Sequence, residues 1–365
     1  MKKSSSIDAI VALVIIVFLM ISLLTMNIGY IGLGCVTHAE YIREGHRMGK
    51  KVGLVELDDP LSILELRDPK YLDIFESQKI IQKEACDLDG HNLLSRSNFT
   101  EPQSPPSNYN LPVLLVEFSD KQGTISKEEF QEHLFGNNIT GSLIDYYNEI
   151  SYGKFDLTGT VYGWYTSTST EAEALGNTSA FITSILEVAN ADIDFSDYDN
   201  DNDEVVDAIM IVFPGTGADE DGEDSGHIWP HMSILRNNEG TDYYSDSFDG
   251  VTFAEYVVCP EKGKVGNEYF IRPIGVYAHE FGHTLGLPDL YDRSEEDASE
   301  GVGEWCLMGS GSWNGTDGDT PSHMSAWCKY KLGWVDPLIL TDTANLELQN
   351  IEENDGQIYK IYADG

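Results

Sequence analysis

His279-Glu280-Phe281-Gly282-His283, continued by Thr284-Leu285-Gly286-Leu287-Pro288-Asp289, carries the densest chemical information in this 365-residue chain. On a helix, residues four apart share a face, so His279 and His283 aim two imidazole nitrogens at one point. Glu280 adjoins the first of them and suits a general base that takes a proton from metal-activated water. Gly286 can stop the helix and turn the chain sharply, which brings Asp289 back as a third, carboxylate ligand. Glu300 and Glu304 are the rival third ligands. Asp289 is preferred, because a ligand far downstream leaves Gly286 without a purpose. A fourth position open to water is what a catalytic zinc site requires. The bland alternative is a surface helix that happens to carry two histidines, and the rest of the chain weighs against it.

Downstream, Trp305-Cys306-Leu307-Met308-Gly309-Ser310-Gly311-Ser312-Trp313 contains a methionine followed by glycines that permit a tight turn. Met308 in such a turn supplies a soft apolar floor beneath zinc histidines. Upstream, Asp197-Tyr198-Asp199-Asn200-Asp201-Asn202-Asp203-Glu204-Val205-Val206-Asp207 alternates carboxylates. Asp199, Asp201, Asp203 and Asp207 can wrap a hard cation such as calcium with oxygen ligands. The loop departs from an EF-hand, with Glu204 where glycine is usual and no closing glutamate. A solvated acidic loop is the alternative. His227-Ile228-Trp229-Pro230-His231 offers histidines for substrate binding, His231 in particular, though a packed tryptophan with structural histidines fits equally. Tyr291, near the third ligand, is a candidate for oxyanion stabilisation.

Composition bounds the partners. With 62 acidic against 22 basic residues, the net charge is −40. Phosphate backbones would be repelled, which argues against nucleic acid. A hydrophobic fraction of 41%, with 19 Tyr and 14 Phe, argues for a folded chain with ample core. Lys2 and Lys3 precede an uncharged apolar run, 9–26, long enough to span a bilayer. Residues 1–36 are thus expected to be a signal anchor or signal peptide. Arg43, Arg47, Lys50 and Lys51 beyond the run favour the opposite topology, but the sites suit an exported body, at the extracellular face of the membrane or secreted. Five cysteines, Cys35, Cys86, Cys259, Cys306 and Cys328, form no CxxC pair, which disfavours a zinc ribbon. The last four permit two disulfides of unread pairing; buried free thiols are the equal alternative.

Organisation follows from local pattern. Residues 37–106 are polar and mixed and end in Pro102-Gln103-Ser104-Pro105-Pro106-Ser107, a linker. From 107 to 336 the pattern predicts strands over 111–118, 155–165 and 205–213. It predicts helices over 127–134, 142–150 and 178–191, and a metal helix from Pro273, as a first-turn residue, to Gly286. Strands over 346–351 and 357–362 suggest that 337–365 begins a β-rich domain. The class expected is α+β.

The blocks Leu115-Val116-Glu117-Phe118-Ser119-Asp120, Asp145-Tyr146-Tyr147-Asn148-Glu149-Ile150-Ser151-Tyr152-Gly153-Lys154, the acidic loop and Ile228-Trp229-Pro230-His231 occur in that order. The metal segment through 292, Leu307-Met308-Gly309-Ser310-Gly311-Ser312-Trp313 and Leu332-Gly333-Trp334 follow. Over roughly 110–336 the chain resembles the M6 family of metalloproteases, of the immune inhibitor A type. The resemblance implies a metzincin-like catalytic domain, zinc on His279, His283 and Asp289, Glu280 as base and a Met-turn at Met308. It also implies structural calcium, secretion, a pro-segment that is removed, and endopeptidase action on protein or peptide substrates. The chain is therefore expected to be a zinc endopeptidase made as a latent exported precursor, with Cys86 as one candidate to cap the zinc until cleavage. The rival is a catalytically inactive, calcium-ordered acidic adhesion module on a peptidase fold; a zinc hydrolase of non-peptide amides is a second.

Overall fold

The computed structural model describes residues 104–136, 141–222, 225–236, 246–291, 299–340, 348–352 and 357–361. The apolar run of 9–26, the segment 37–103 and Cys86 lie outside them. Among the described residues no helix is long and apolar enough to cross a membrane.

The chain begins with β1 (Asn108–Glu117), nearly all of it buried. Its alternate residues serve two cores: Tyr109, Leu111, Val113 and Leu115 face one, Leu114 and Val116 the other. A strand with apolar residues on both faces belongs inside a sheet covered on both sides. Two helices follow, α1 (Lys127–Phe135) and α2 (Leu143–Ile150), then β2 (Asp156–Thr166). Next come α3 (Glu171–Gly176), α4 (Thr178–Ala189), β3 (Val205–Val206), β4 (Ile209–Phe213) and the one-turn α5 (Ala218–Asp221). The second half holds β5 (His231–Ile234), β6 (Thr252–Phe253), β7 (Glu255–Pro260), and the hairpin β8 (Lys262–Val265) and β9 (Glu268–Ile271). The metal helix α6 (Ile274–Thr284), α7 (Ala326–Lys331), β10 (Leu338–Leu340) and β11 (Tyr359–Ile361) complete it.

The main sheet runs β2-β1-β4-β7-β5, with four parallel strands and β5 antiparallel at the edge. Helices α1, α2 and α6 pack on one face and α3 and α4 on the other. This is a mixed α/β arrangement. It differs from the segregated layers that α+β leads one to expect, because helical pairs intervene between strands and force parallel pairing. Capping boxes start α1, α2 and α3 at Ser126, Ser142 and Thr170, closed by Glu129, Asp145 and Glu173.

Three expected boundaries need correction. Residues 205–213 form two strands in different sheets: β3 pairs with β6, while β4 joins the main sheet. The break falls at Asp207, whose carboxylate is drawn back to accept from Asn200 N at 2.7 Å. Pro273 is the N-cap of α6, one residue before the helix. Residues 348–352 hold no strand, and β10 pairs in parallel with β11 instead.

Candidate metal centre

Helix α6 is buried almost throughout, so its two histidines are aimed by the core packed around it. The His279 and His283 rings lie 4.8 Å apart, nearly perpendicular. Gly286 takes φ +89°, a left-handed conformation in which a side chain would be strained. Its N–H and that of Leu287 return to the His283 and Gly282 carbonyls, at 2.8 and 3.3 Å, closing the helix. The reversed chain presents Asp289, whose Oδ1 stands 3.1 Å from His279 Nε2 and 3.3 Å from His283 Nε2. Two donors about 2.1 Å from a shared ion in tetrahedral geometry are about 3.4 Å apart. Both separations from Asp289 to a histidine come close to that value.

The opposite ring nitrogens are fixed by backbone. His279 Nδ1 bonds the Leu307 carbonyl at 2.8 Å and His283 Nδ1 the Leu287 carbonyl at 2.7 Å. Both bonds select the tautomer that leaves Nε2 free for a cation. Burial alone would hold His279 neutral, but the Asp289 hydrogen bond, the Glu280 and Asp289 charges and the Leu307 carbonyl raise its pKa to about 9. Asp289 is driven below the usual carboxylate range, since its bonds to both histidines outweigh its burial.

Glu280 is also close: His279, Glu280 and His283 each offer a ligand atom within 4.8 Å of the others. Asp289 is the better third ligand, since it meets both Nε2 atoms at close range. That leaves Glu280 beside the two histidines. Beneath the helix, Met308 is wholly buried, and a Cβ added at Gly282 would lie 2.7 Å from its Sδ. The thioether thus rests on the turn of α6 between the two histidines. Leu290 N donates to the Met308 carbonyl at 2.7 Å, tying the ligand turn to the methionine loop.

Several supports were invisible in the sequence. Tyr147 Oη donates to the carbonyl of Ala278, next to the first ligand, at 2.7 Å. Arg272, fully buried just before α6, pairs with Asp219 at 2.8 Å, Asp317 at 3.3 Å and Glu220, and stacks on Trp313. Burial, helped by the charges of Asp317 and Glu280 and opposed by Arg272, pushes the Asp219 carboxyl up to about 6. These partners lie 45 to 53 positions apart. No local pattern links them.

The remaining candidates are differently placed. Asp199, Asp201 and Asp207 bring carboxylate oxygens within 4.8 Å of one another. Asp203 is not in that group, and its carboxylate accepts from Val205 N. Glu204 adopts φ +68°, the left-handed turn that glycine usually fills. His231 pairs across the strands with Val258, whose side chain belongs to the core on the far side of the sheet from α6. Its Nδ1 bonds the Trp229 carbonyl, and its ring meets Tyr256. That orientation takes it away from the metal helix. Tyr291 is half-exposed two residues beyond Asp289, beside the backbone that packs on Gly301.

Residues 186–335 match the catalytic-domain model of the immune inhibitor A peptidase M6 family. Immune inhibitor A of Bacillus thuringiensis subsp. alesti is 30% identical over 269 residues, 58% of this chain and 38% of that protein. Pre-pro-metalloprotease PrtV of Vibrio cholerae serotype O1 is 30% identical over 219 residues, 52% of this chain and 23% of that protein. The chain thus spans well under half the length of either relative. The matched region encloses both histidines, the Asp289 turn and the methionine beneath them, so over residues 186–335 the chain is similar to the peptidase M6 catalytic domain of the immune inhibitor A type.

Proposed function

We propose that this chain is a zinc-dependent endopeptidase that hydrolyses peptide bonds in protein substrates and is made as a latent, exported precursor. One observation carries the reading: His279 Nε2, His283 Nε2 and Asp289 Oδ1 converge at zinc-ligand separations with Glu280 alongside. When bound there, zinc supplies a Lewis acid that polarises a scissile carbonyl and acidifies water. Glu280 takes the proton from the attacking water and returns it to the leaving amine. Asp289 balances charge and holds both imidazoles at one focus. The Leu307 and Leu287 carbonyls keep the rings in the ligating tautomer, and Met308 supplies the apolar floor. The domain would then be metzincin-like, with 1–36 for export, 37–106 as pro-segment and 107–336 as catalytic unit. Calcium at Asp199, Asp201 and Asp207 would order the loop entering β3 and β4. The inactive adhesion-module reading has no comparable support, since both histidines and Glu280 are retained in working geometry.

The test is casein cleavage by the full chain, freed of 1–106 by limited proteolysis, with zinc and calcium, beside Glu280→Gln. Loss of about 10²–10⁴-fold in rate with unchanged zinc content is expected of the variant. Equal cleavage by metal-replete Glu280→Gln would overturn the mechanism.

A further inference from the structure

Cys306 and Cys328 belong to no ligand set, and the proposed chemistry uses neither. Their Sγ atoms lie 4.0 Å apart, and neither residue has measurable exposure. Cys306 opens the loop that carries Leu307 and Met308, and Cys328 lies in α7. Ser325 joins them: its N–H donates to Cys306 Sγ at 3.2 Å and its hydroxyl to Cys328 Sγ at 3.3 Å. The hydrogen bond from the Cys328 thiol, with the one from Ser325, pulls the Cys306 thiol below its usual range against the effect of burial. Cys259, in β7, makes no sulfur–sulfur contact among the described residues, and burial pushes its thiol well up. A disulfide needs its sulfurs at about 2.05 Å. From 4.0 Å the two sulfurs must close by about 2 Å to reach it.

We propose that Cys306 and Cys328 are a site of oxidative modification, joined as an intrachain disulfide by exchange with an organic disulfide while the chain folds. The Cys306 thiolate attacks one sulfur of the donor RS–SR, and RS⁻ leaves and takes up a proton. The Cys328 thiolate then attacks the Cys306 sulfur of the mixed disulfide and expels the second RS⁻, which is protonated in turn. Two protein thiols lose two electrons, and one donor disulfide becomes two thiols. Burial then shields the bond from reductants in the folded chain. The closed segment, 306–328, holds the Leu307 carbonyl that orients His279, the Met308 thioether under Gly282, and the Ser312 carbonyl against Gly275. The bond would clamp the floor of the metal centre to α7. Its formation does not depend on the peptidase reading; only the meaning of the clamp for catalysis does.

The experiment folds the full chain in a mixture of oxidised and reduced glutathione, alkylates it in denaturant without reductant, and maps it by mass spectrometry. The expected result is one cross-linked peptide pair containing Cys306 and Cys328, about 2 Da lighter than the reduced peptides together. Recovery of both residues alkylated, or of either one bonded to Cys35, Cys86 or Cys259, overturns the proposal. Thermal unfolding supplies a second readout. The chain folded oxidised should melt roughly 5–10 °C above the same chain folded with excess reductant. The Cys306→Ala/Cys328→Ala variant should show no such difference. If that variant does not fold, the peptide map of the unaltered chain decides. A chain that carries the bond but does not cleave casein supports this proposal and counts against the peptidase reading alone.

Discussion

A single methyl group added at position 282 sets helix propensity against packing. The Cβ of Gly282→Ala would sit 2.7 Å from Met308 Sδ, with Met324 Cε at 3.4 Å and Met308 Cε at 3.5 Å. Carbon and sulfur cannot rest that close, so the thioether must retreat by roughly 1 Å. Both methionines are buried and have little space in which to do so. Replacing glycine by alanine in a helix interior gains about 1 kcal/mol. Overpacking a filled core costs about 1–3 kcal/mol. The net expectation is a loss of roughly 0–2 kcal/mol. Met308→Ala alone removes the thioether and costs about 2–5 kcal/mol. In the double variant the new methyl enters vacated space, so Gly282→Ala should there stabilise by up to about 1 kcal/mol. The cycle thus predicts a coupling of about 1–3 kcal/mol. Urea unfolding of the four full-length proteins, stripped of metal and followed by tryptophan fluorescence, measures it. Additivity within about 0.5 kcal/mol would refute the contact between Met308 and the ligand helix.

Three further outcomes follow from the same geometry. His279 has a folded pKa of about 9, above its ordinary value, so the metal-free His279–Asp289 pair is fully formed below pH 6.5 and lost as pH rises through about 9. Asp289, being depressed, keeps its share until pH falls below the usual carboxylate range. Zinc uptake near pH 7 should therefore release about one proton, read by calorimetry in buffers of different ionisation enthalpy; heats independent of buffer would contradict it. Arg272→Met strands Asp219, Glu220 and Asp317 without their cation and should cost about 3–5 kcal/mol at pH 8. The loss should shrink at pH 5, below the Asp219 value of about 6, where that carboxyl takes up a proton, and equal losses at both pH values would argue against charge as the cause. Calcium at a hundredfold excess over its dissociation constant should stabilise the chain by about 2.7 kcal/mol, and Asp201→Ala should abolish the gain. An equal thermal shift in that variant would remove the acidic loop as the site.

What was legible in the sequence is what depends on short range. The candidate donors His279, His283 and Asp289 sit within one helix and its turn, and that spacing brings their side chains together. The apolar run of β1, the Ser–x–x–Glu start of α1 and the Ser–x–x–Asp start of α2 are likewise local signals. The split of 205–213 was hidden because both halves are apolar; it falls at Asp207, whose carboxylate accepts from Asn200 N. β5 and β8–β9 are four-residue elements whose identity comes from their partners. His231 looked suited to the site by residue type, yet its register with Val258 turns it to the other face. A one-residue shift in a strand reverses which side a residue serves, and register is a tertiary property. Arg272 and Tyr147 act across long sequence separations and left no trace in local pattern.

The closeness of the ligands in sequence bears on folding. His279, His283 and Asp289 occupy eleven consecutive residues, so an unfolded chain brings them within reach of each other in about 10–100 ns. A metal ion can therefore associate with the unfolded chain as well as the folded one, and such binding subtracts from the stability it confers. The discrimination between the two states falls to groups recruited from afar: the Leu307 carbonyl on His279, the Met308 thioether and the Tyr147 hydroxyl on Ala278. Nascent chain emerging from synthesis would thus capture metal early and loosely. The affinity would rise only when the sheet closes around α6 and those distant partners arrive.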